Sequence, residues 1–202
     1  MAKPSEMDLI KAKWVLRYLR GTLDLKITYW RNKSEDLQGY TDSDWAGDYR
    51  SRRSMSGYLF ILGGAAISWS SKRKATVALS NAEAEYMALA HAVQEVIFIR
   101  GILDEIGYLP KRSTKIYVDN QSCMKMATNQ ATSNCTKHIA IKYHFTREKI
   151  ESQEITLEYL PAEEMLADIL TKAVGQIILK RANIKIFGKE EVENDNKVNQ
   201  CL

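Results

Sequence analysis

Acidic side chains recur in this sequence where apolar residues are expected to enter a core. In "GYTDSDWAGD", Gly39 to Asp48, the carboxylates of Asp42, Asp44 and Asp48 interrupt a segment whose Leu37, Tyr40 and Trp45 read as a strand. Glu85 heads a stripe through Leu89, Ala92, Val93 and Val96, a core-facing line on which an unpartnered acid is expensive. Asp119 closes the strand "KIYVD" ahead of a helix, the edge at which open α/β sheets place their ligands. Asp168 stands beside Met165, Leu166, Ile169 and Leu170. Taken singly, each acid has an ordinary explanation. Asp42 fits a strand end, and Asp44 and Asp48 fit a turn beside Gly47. Asp119 fits a helix N-cap, and Asp168 an i,i+4 ion pair with Lys172.

Taken together they point to a different chemistry. Asp42, Glu85, Asp119 and Asp168 belong to four separate core elements, and like charges brought together in a poorly solvated site repel by several kcal/mol. Divalent cations remove that cost. An oxygen-only donor set without His or Cys suits Mg²⁺ or Mn²⁺, and two such ions can activate a water and stabilise the leaving oxygen in phosphodiester cleavage.

The elements that must position these acids are legible from periodicity. "DLIKAKWVLRYLR", Asp8 to Arg20, has helical spacing and is stopped by Gly21. Short β-branched and aromatic runs follow: "LKITYW", "LQGYTD", "SGYLFIL" and "AAISWS", separated by "YRSRRS" and the Gly63-Gly64 pair, as in an antiparallel meander. Ser80 opens the longest helix, running to Ile106, with "SNAE" as a capping box. Glu83 and Glu85 then point roughly 200° apart, so only one can face the sheet, and the cap claims Glu83. A helix from Gln121 to Thr128, the basic helix "TKHIAIKYHFTREKIES", the strand "EITLEYL" broken by Pro161, and a helix "EEMLADILTKA" complete the pattern. Strands grouped first and then alternating with helices predict an α/β domain with a mixed sheet flanked by helices. The closing "GKEEVENDNKVNQCL" is polar and predicts disorder.

Composition sets the frame. A chain of 202 residues, 45% hydrophobic and 27% charged, supports one ordinary domain with short appendages. Its net charge of +4 fits a polyanionic partner without requiring one. The apolar run Tyr58 to Trp69 is too short for a membrane span, and the N-terminus lacks a secretory pattern, so a soluble chain is expected. Cys123, Cys135 and Cys201 are odd in number and lack C-x-x-C spacing, which favours reduced thiols in a cytosolic or nuclear setting over a zinc site.

The blocks "GYTDSDWAGD", "RRSMSGYLF", "ISWSSKRKATVALSNAEAEYMALA", "IYVDNQS", "KHIAIKYHFTREKI" and "LADILTKA" resemble the ribonuclease H domain of copia-type LTR retrotransposon Pol polyproteins, over roughly Ala12 to Ala173. The resemblance implies a connector resembling the end of the reverse transcriptase region over 1–34, a ribonuclease H-like domain over 35–175 and a variable, partly disordered tail over 176–202. It implies a five-stranded mixed sheet and endonucleolytic cleavage of the RNA strand of RNA/DNA hybrids with two Mg²⁺ or Mn²⁺ ions. Asp42, Glu85, Asp119 and Asp168 match the family's metal-binding and catalytic acids. The implied partners are the hybrid and the reverse transcriptase region of the same polyprotein, in a cytoplasmic virus-like particle or the nucleus.

A catalytically inactive, nucleic-acid-binding remnant is the alternative, and a nuclease of the integrase or exonuclease kind a third. Some residues depart from the pattern: "YLPAEEMLAD" lacks the loop His of many cellular ribonucleases H, and Ala140 stands where the family usually has Asp. His138 and His144 are assigned a structural or substrate-contact role, and His91 packing on its helix. Arg50, Arg52 and Arg53 in one turn, and Lys72, Arg73 and Lys74 in another, are candidate phosphate contacts or plain solvated basic loops. Trp45 and Trp69 are expected to pack in the core.

Overall fold

The computed structural model describes residues 4–31, 36–45, 54–74, 78–108, 112–128 and 137–189, and over 137–143 the backbone alone. Asp48, the Arg50, Arg52 and Arg53 turn, the His138 side chain, Cys135 and the chain beyond 189, with Cys201, lie outside the described residues.

The first three strands, β1 (Gln38–Asp44), β2 (Met55–Leu62) and β3 (Ala65–Arg73), pair as an antiparallel meander. The β2–β3 hairpin turns on Gly63 and Gly64 at φ 62° and 83°, a left-handed backbone that only glycine adopts without cost. The chain then runs through α2 (Asn81–Glu105), β4 (Thr114–Val118), α3 (Gln121–Thr128), α4 (Lys137–Glu151) and β5 (Ile155–Tyr159). β4 pairs parallel with both β1 and β5. The sheet is therefore five-stranded and mixed, in the order β3-β2-β1-β4-β5.

Each face of the sheet has its own core. On one, Phe60, Ile116 and Val118 pack against Leu89, Val93 and Val96 of α2. On the other, Leu59, Ile61 and Ala66 pack against Leu166 and Ala182. By length and composition α2 could cross a membrane, but 56% of its apolar stretch is buried inside the domain, as expected of a core helix.

Four expectations change in three dimensions. "LKITYW" forms no ladder strand; Thr28 N–H donates to Phe187 O and Trp30 N–H to Gly63 O, each at 3.0 Å, so it straps the hairpin to the C-terminal helix. "EEMLADILTKA" forms two 3-10 turns, Ala162–Glu164 and Leu166–Leu170, because Met165 between them is extended (φ −67°, ψ 108°). Residues 176–187, placed by sequence in the tail, form α5 (Gln176–Phe187), and its Ala182 is fully buried. Trp69 is 57% exposed on the edge strand β3 instead of packed in the core. The leading helix α1 (Glu6–Gly21) forms as expected, capped by Ser5, with none of its residues buried.

Candidate active site

The acids converge because three elements end or cross at one point. Asp42 lies within β1, the central strand, and is 2% exposed. Glu85 sits in the second turn of α2, which crosses β1, and is 3% exposed. Asp119 follows the last residue of β4, the parallel neighbour of β1. One carboxylate oxygen from each of these three lies within 4.8 Å of the others.

Local capping explains which acids are available. Ser80 accepts the Glu83 N–H at 3.2 Å, and the Glu83 carboxylate reaches back to the Leu79 N–H at 2.7 Å. Glu83 is thus spent on the helix start, and Glu85 turns inward. At α3 the Cys123 N–H donates to Asn120 Oδ1 at 2.9 Å, so Asn120 caps the helix and Asp119 is not needed for it. Asp44, at the end of β1, stays outside the cluster.

Asp168 approaches from the 3-10 turn Leu166–Leu170. Lys172 Nζ lies 3.0 Å from Asp168 Oδ1 and 3.9 Å from Asp42 Oδ1, and so joins the two acids. The Thr171 hydroxyl donates to Asp42 Oδ2. The ion pair anticipated for Asp168 therefore exists, but inside the site instead of on a surface helix.

The electrostatics show the cost of this grouping. Burial, then the charges of Asp42 and Asp119, pushes the Glu85 carboxyl up to about 9. Its Oε2 is buried without a hydrogen-bond partner. Burial and Asp42 also raise Asp119. Asp168 is raised to about 6, chiefly by burial, with the Lys172 bond working against the shift. Burial opposes the Lys172 ammonium, but Asp168 and Asp42 outweigh it and hold its pKa above the ordinary value.

The donor set fits a hard divalent cation: all ligating atoms are carboxylate oxygens, and one buried oxygen has no protein partner.

The basic residues divide. Lys72 and Arg73 are exposed at the end of β3. Lys74 departs from the expected phosphate contact: it is 6% exposed and its ammonium donates to the Met87 carbonyl of α2 at 3.0 Å. Trp45, expected in the core, is instead 45% exposed, its indole N–H donating to Ala78 O at 3.2 Å. His91 is half-buried on α2 and His144 exposed on α4. Thr171 and Gly57 were missed by sequence reading. A Gly inside the strand-like "SGYLFIL" was the available signal.

A mixed sheet in this order, with acids from the central strand, the crossing helix and the end of β4, defines a ribonuclease H-like domain. Among solved structures, LC11-RNase H1 isolated from compost superposes with a TM-score of 0.50 at 17% identity, covering 68% of this chain and 94% of that one. The chain is a homologue of the retrovirus-related Pol polyproteins of transposons. It is 41% identical over 174 residues to that of transposon TNT 1-94 from Nicotiana tabacum, covering 86% of this chain. It is 36% identical over 186 residues to that of transposon RE1 from Arabidopsis thaliana, covering 92% of this chain. The chain spans 13% of the length of each of these relatives. No family model matches it.

Proposed function

We propose that this domain cleaves the RNA strand of RNA/DNA hybrids endonucleolytically, using two Mg²⁺ or Mn²⁺ ions held by Asp42, Glu85, Asp119 and Asp168, during retrotransposon reverse transcription. The observation that carries the reading is the convergence of three carboxylates within 4.8 Å on a ribonuclease H-like sheet. Homology to transposon Pol polyproteins supports the setting and makes the reverse transcriptase region the proposed neighbour in the chain.

Ions bound here would supply Lewis-acid activation of water and charge neutralisation at the scissile phosphate. The protein's own part is to hold the acids before substrate arrives. Thr171 fixes one oxygen of Asp42. The rigid second turn of α2 aims Glu85, and Asn120 relieves Asp119 of capping. Burial of Asp42 and Glu85 keeps the local dielectric low, so each charge in the site counts for more than in water.

Substrate grip follows from strand register. Lys72 pairs with Ser56, which pairs with Ser43, so its backbone lies two strands, about 10 Å, from β1, with its side chain on the face of Ser43 and not that of Asp42. Its exposed ammonium is available to a hybrid phosphate away from the acids. A hybrid held through phosphates and 2′-hydroxyls is read by shape, and little sequence preference is expected.

The test is a labelled hybrid incubated with the protein across a Mg²⁺ titration. Metal-dependent RNA products that vanish in Asp42→Asn are expected. Salt-sensitive hybrid binding with no product at high protein concentration would instead make the domain a non-catalytic remnant, and cutting of DNA-only duplexes would reassign its substrate.

A further inference from the structure

The Asp42–Asp168 pair already holds a cation of the protein's own. Lys172 Nζ stands 3.0 Å from Asp168 Oδ1 and 3.9 Å from Asp42 Oδ1, while among the described residues neither Glu85 nor Asp119 forms an ion pair. The site is therefore divided. One side is a cluster of three carboxylates with an unpartnered buried oxygen, and the other is an acid pair that shares one ammonium.

The two kinds of group differ in freedom. The side chains of Asp42 and Asp168 are 2% and 5% exposed and belong to the core, whereas that of Lys172 is 39% exposed. The backbone beneath it is pinned: Lys172 N–H donates to Asp168 O at 3.0 Å, and Ser71 Oγ donates to Leu170 O at 2.6 Å. The lysine thus has a fixed root, a flexible stem and a path to solvent. A surface i,i+4 pair would contribute little, but here the acid is buried and the ammonium is its means of charge compensation.

We propose that Lys172 is a resident counterion which a second divalent ion must displace, so that the chain loads unequally: the first ion at Asp42, Glu85 and Asp119, the second at Asp42 and Asp168 only as the ammonium swings out to solvent. This rests on the metal-dependent reading above. It makes Lys172 a positioning residue that sets the occupancy of the second position, and it predicts that the chain needs more metal to fill that position than to fill the first.

The test is calorimetric and EPR titration with Mn²⁺ of the full chain and of Lys172→Met and Lys172→Arg, with hybrid absent. The unmodified chain should bind one ion tightly and a second weakly. Lys172→Met should tighten the second by roughly tenfold or more and leave the first nearly unchanged, while Lys172→Arg keeps the weak second step. A second measurement needs no variant: in a Mg²⁺ titration followed by ¹⁵N NMR of lysine side chains, the Lys172 Nζ signal should move with the second ion and not the first. Two ions bound with a Lys172 signal that never moves, or a Lys172→Met chain whose second step is no tighter, overturns this inference alone. No ion bound by the unmodified chain overturns the metal reading with it.

Discussion

Gly57 lies directly opposite Asp42 in the β1–β2 ladder, and its missing side chain is what lets the 3-10 turn carrying Asp168 and Thr171 settle over the acid. A Cβ built at this position would come within 2.8 Å of Leu170 Cβ and 3.0 Å of Thr171 Cγ2. The contact links the backbone of a central hairpin to the placement of two site residues.

Gly57→Ala should therefore damage the site as well as the fold. Overpacking of this kind costs about 1–3 kcal/mol, and the turn must shift outward, carrying Thr171 off Asp42. Urea unfolding should show the loss of stability and Mn²⁺ titration a weaker first ion. Unchanged metal affinity in a folded Gly57→Ala chain would mean that the turn does not depend on this approach.

Glu85→Gln separates charge from shape. With its carboxyl pushed up to about 9, Glu85 is largely neutral at neutral pH in the metal-free chain, and Gln is its near-isostere. Metal-free stability near pH 7 should change little, while metal affinity and any hybrid cleavage fall on the order of a hundredfold or more. Thermal melts in chelator and product yields measure the two effects separately.

The pH dependence of the metal-free chain has a definite sign. Glu85 at about 9 and Asp168 at about 6 both lie above their ordinary values of 4.5 and 3.8, so between those limits the native state binds more protons than the unfolded chain. Their contribution is complete below the unfolded values and is lost as pH rises through the folded ones. Urea unfolding in chelator should show stability declining from about pH 5 to 9, and Mg²⁺ should flatten the decline. Because Glu85 must ionise to accept a cation, binding near pH 7 should also release roughly one proton, visible as calorimetric heats that depend on the buffer.

Lys74 and Lys72 should part company. Lys74→Met removes a buried ammonium from the Met87 carbonyl and is expected to cost about 1–3 kcal/mol of stability, with hybrid affinity per folded molecule preserved. Lys72→Ala, on the exposed end of β3, should leave the melt unchanged, weaken hybrid binding and reduce its salt dependence by about one ion. Fluorescence anisotropy at several salt concentrations distinguishes them.

Much of this was legible in the one-dimensional pattern. Short β-branched and aromatic runs between turn signals marked β1, β2 and β3, and a 3.6-residue stripe marked α2, because burial on one helix face imposes that period on the side chains. The same geometry separated Glu85 from Glu83, since residues two apart on a helix cannot share a face. The Gly63-Gly64 turn needed only the knowledge that a tight hairpin requires a positive φ.

What the chain order could not reveal was how each ambiguous polar residue is used. Asp119 and Asn120 are both good caps, and only the observed bond from Cys123 N–H to Asn120 shows which one is free. Lys72 and Lys74 sit two apart in one basic run, a spacing that gives both the same strand face, and only the packing of α2 shows that the second is buried while the first stays exposed.

The sequence by itself determined the five ladder strands, α1 to α4 and the candidate acids, because these follow from local periodicity and residue chemistry. Only the tertiary structure decided that Asp42, Glu85 and Asp119 meet within 4.8 Å and that Lys172 bridges Asp42 to Asp168. Those distances join residues far apart in the chain, and they arise from sheet pairing, helix crossing and a glycine-sized gap, none of which any local window of sequence contains.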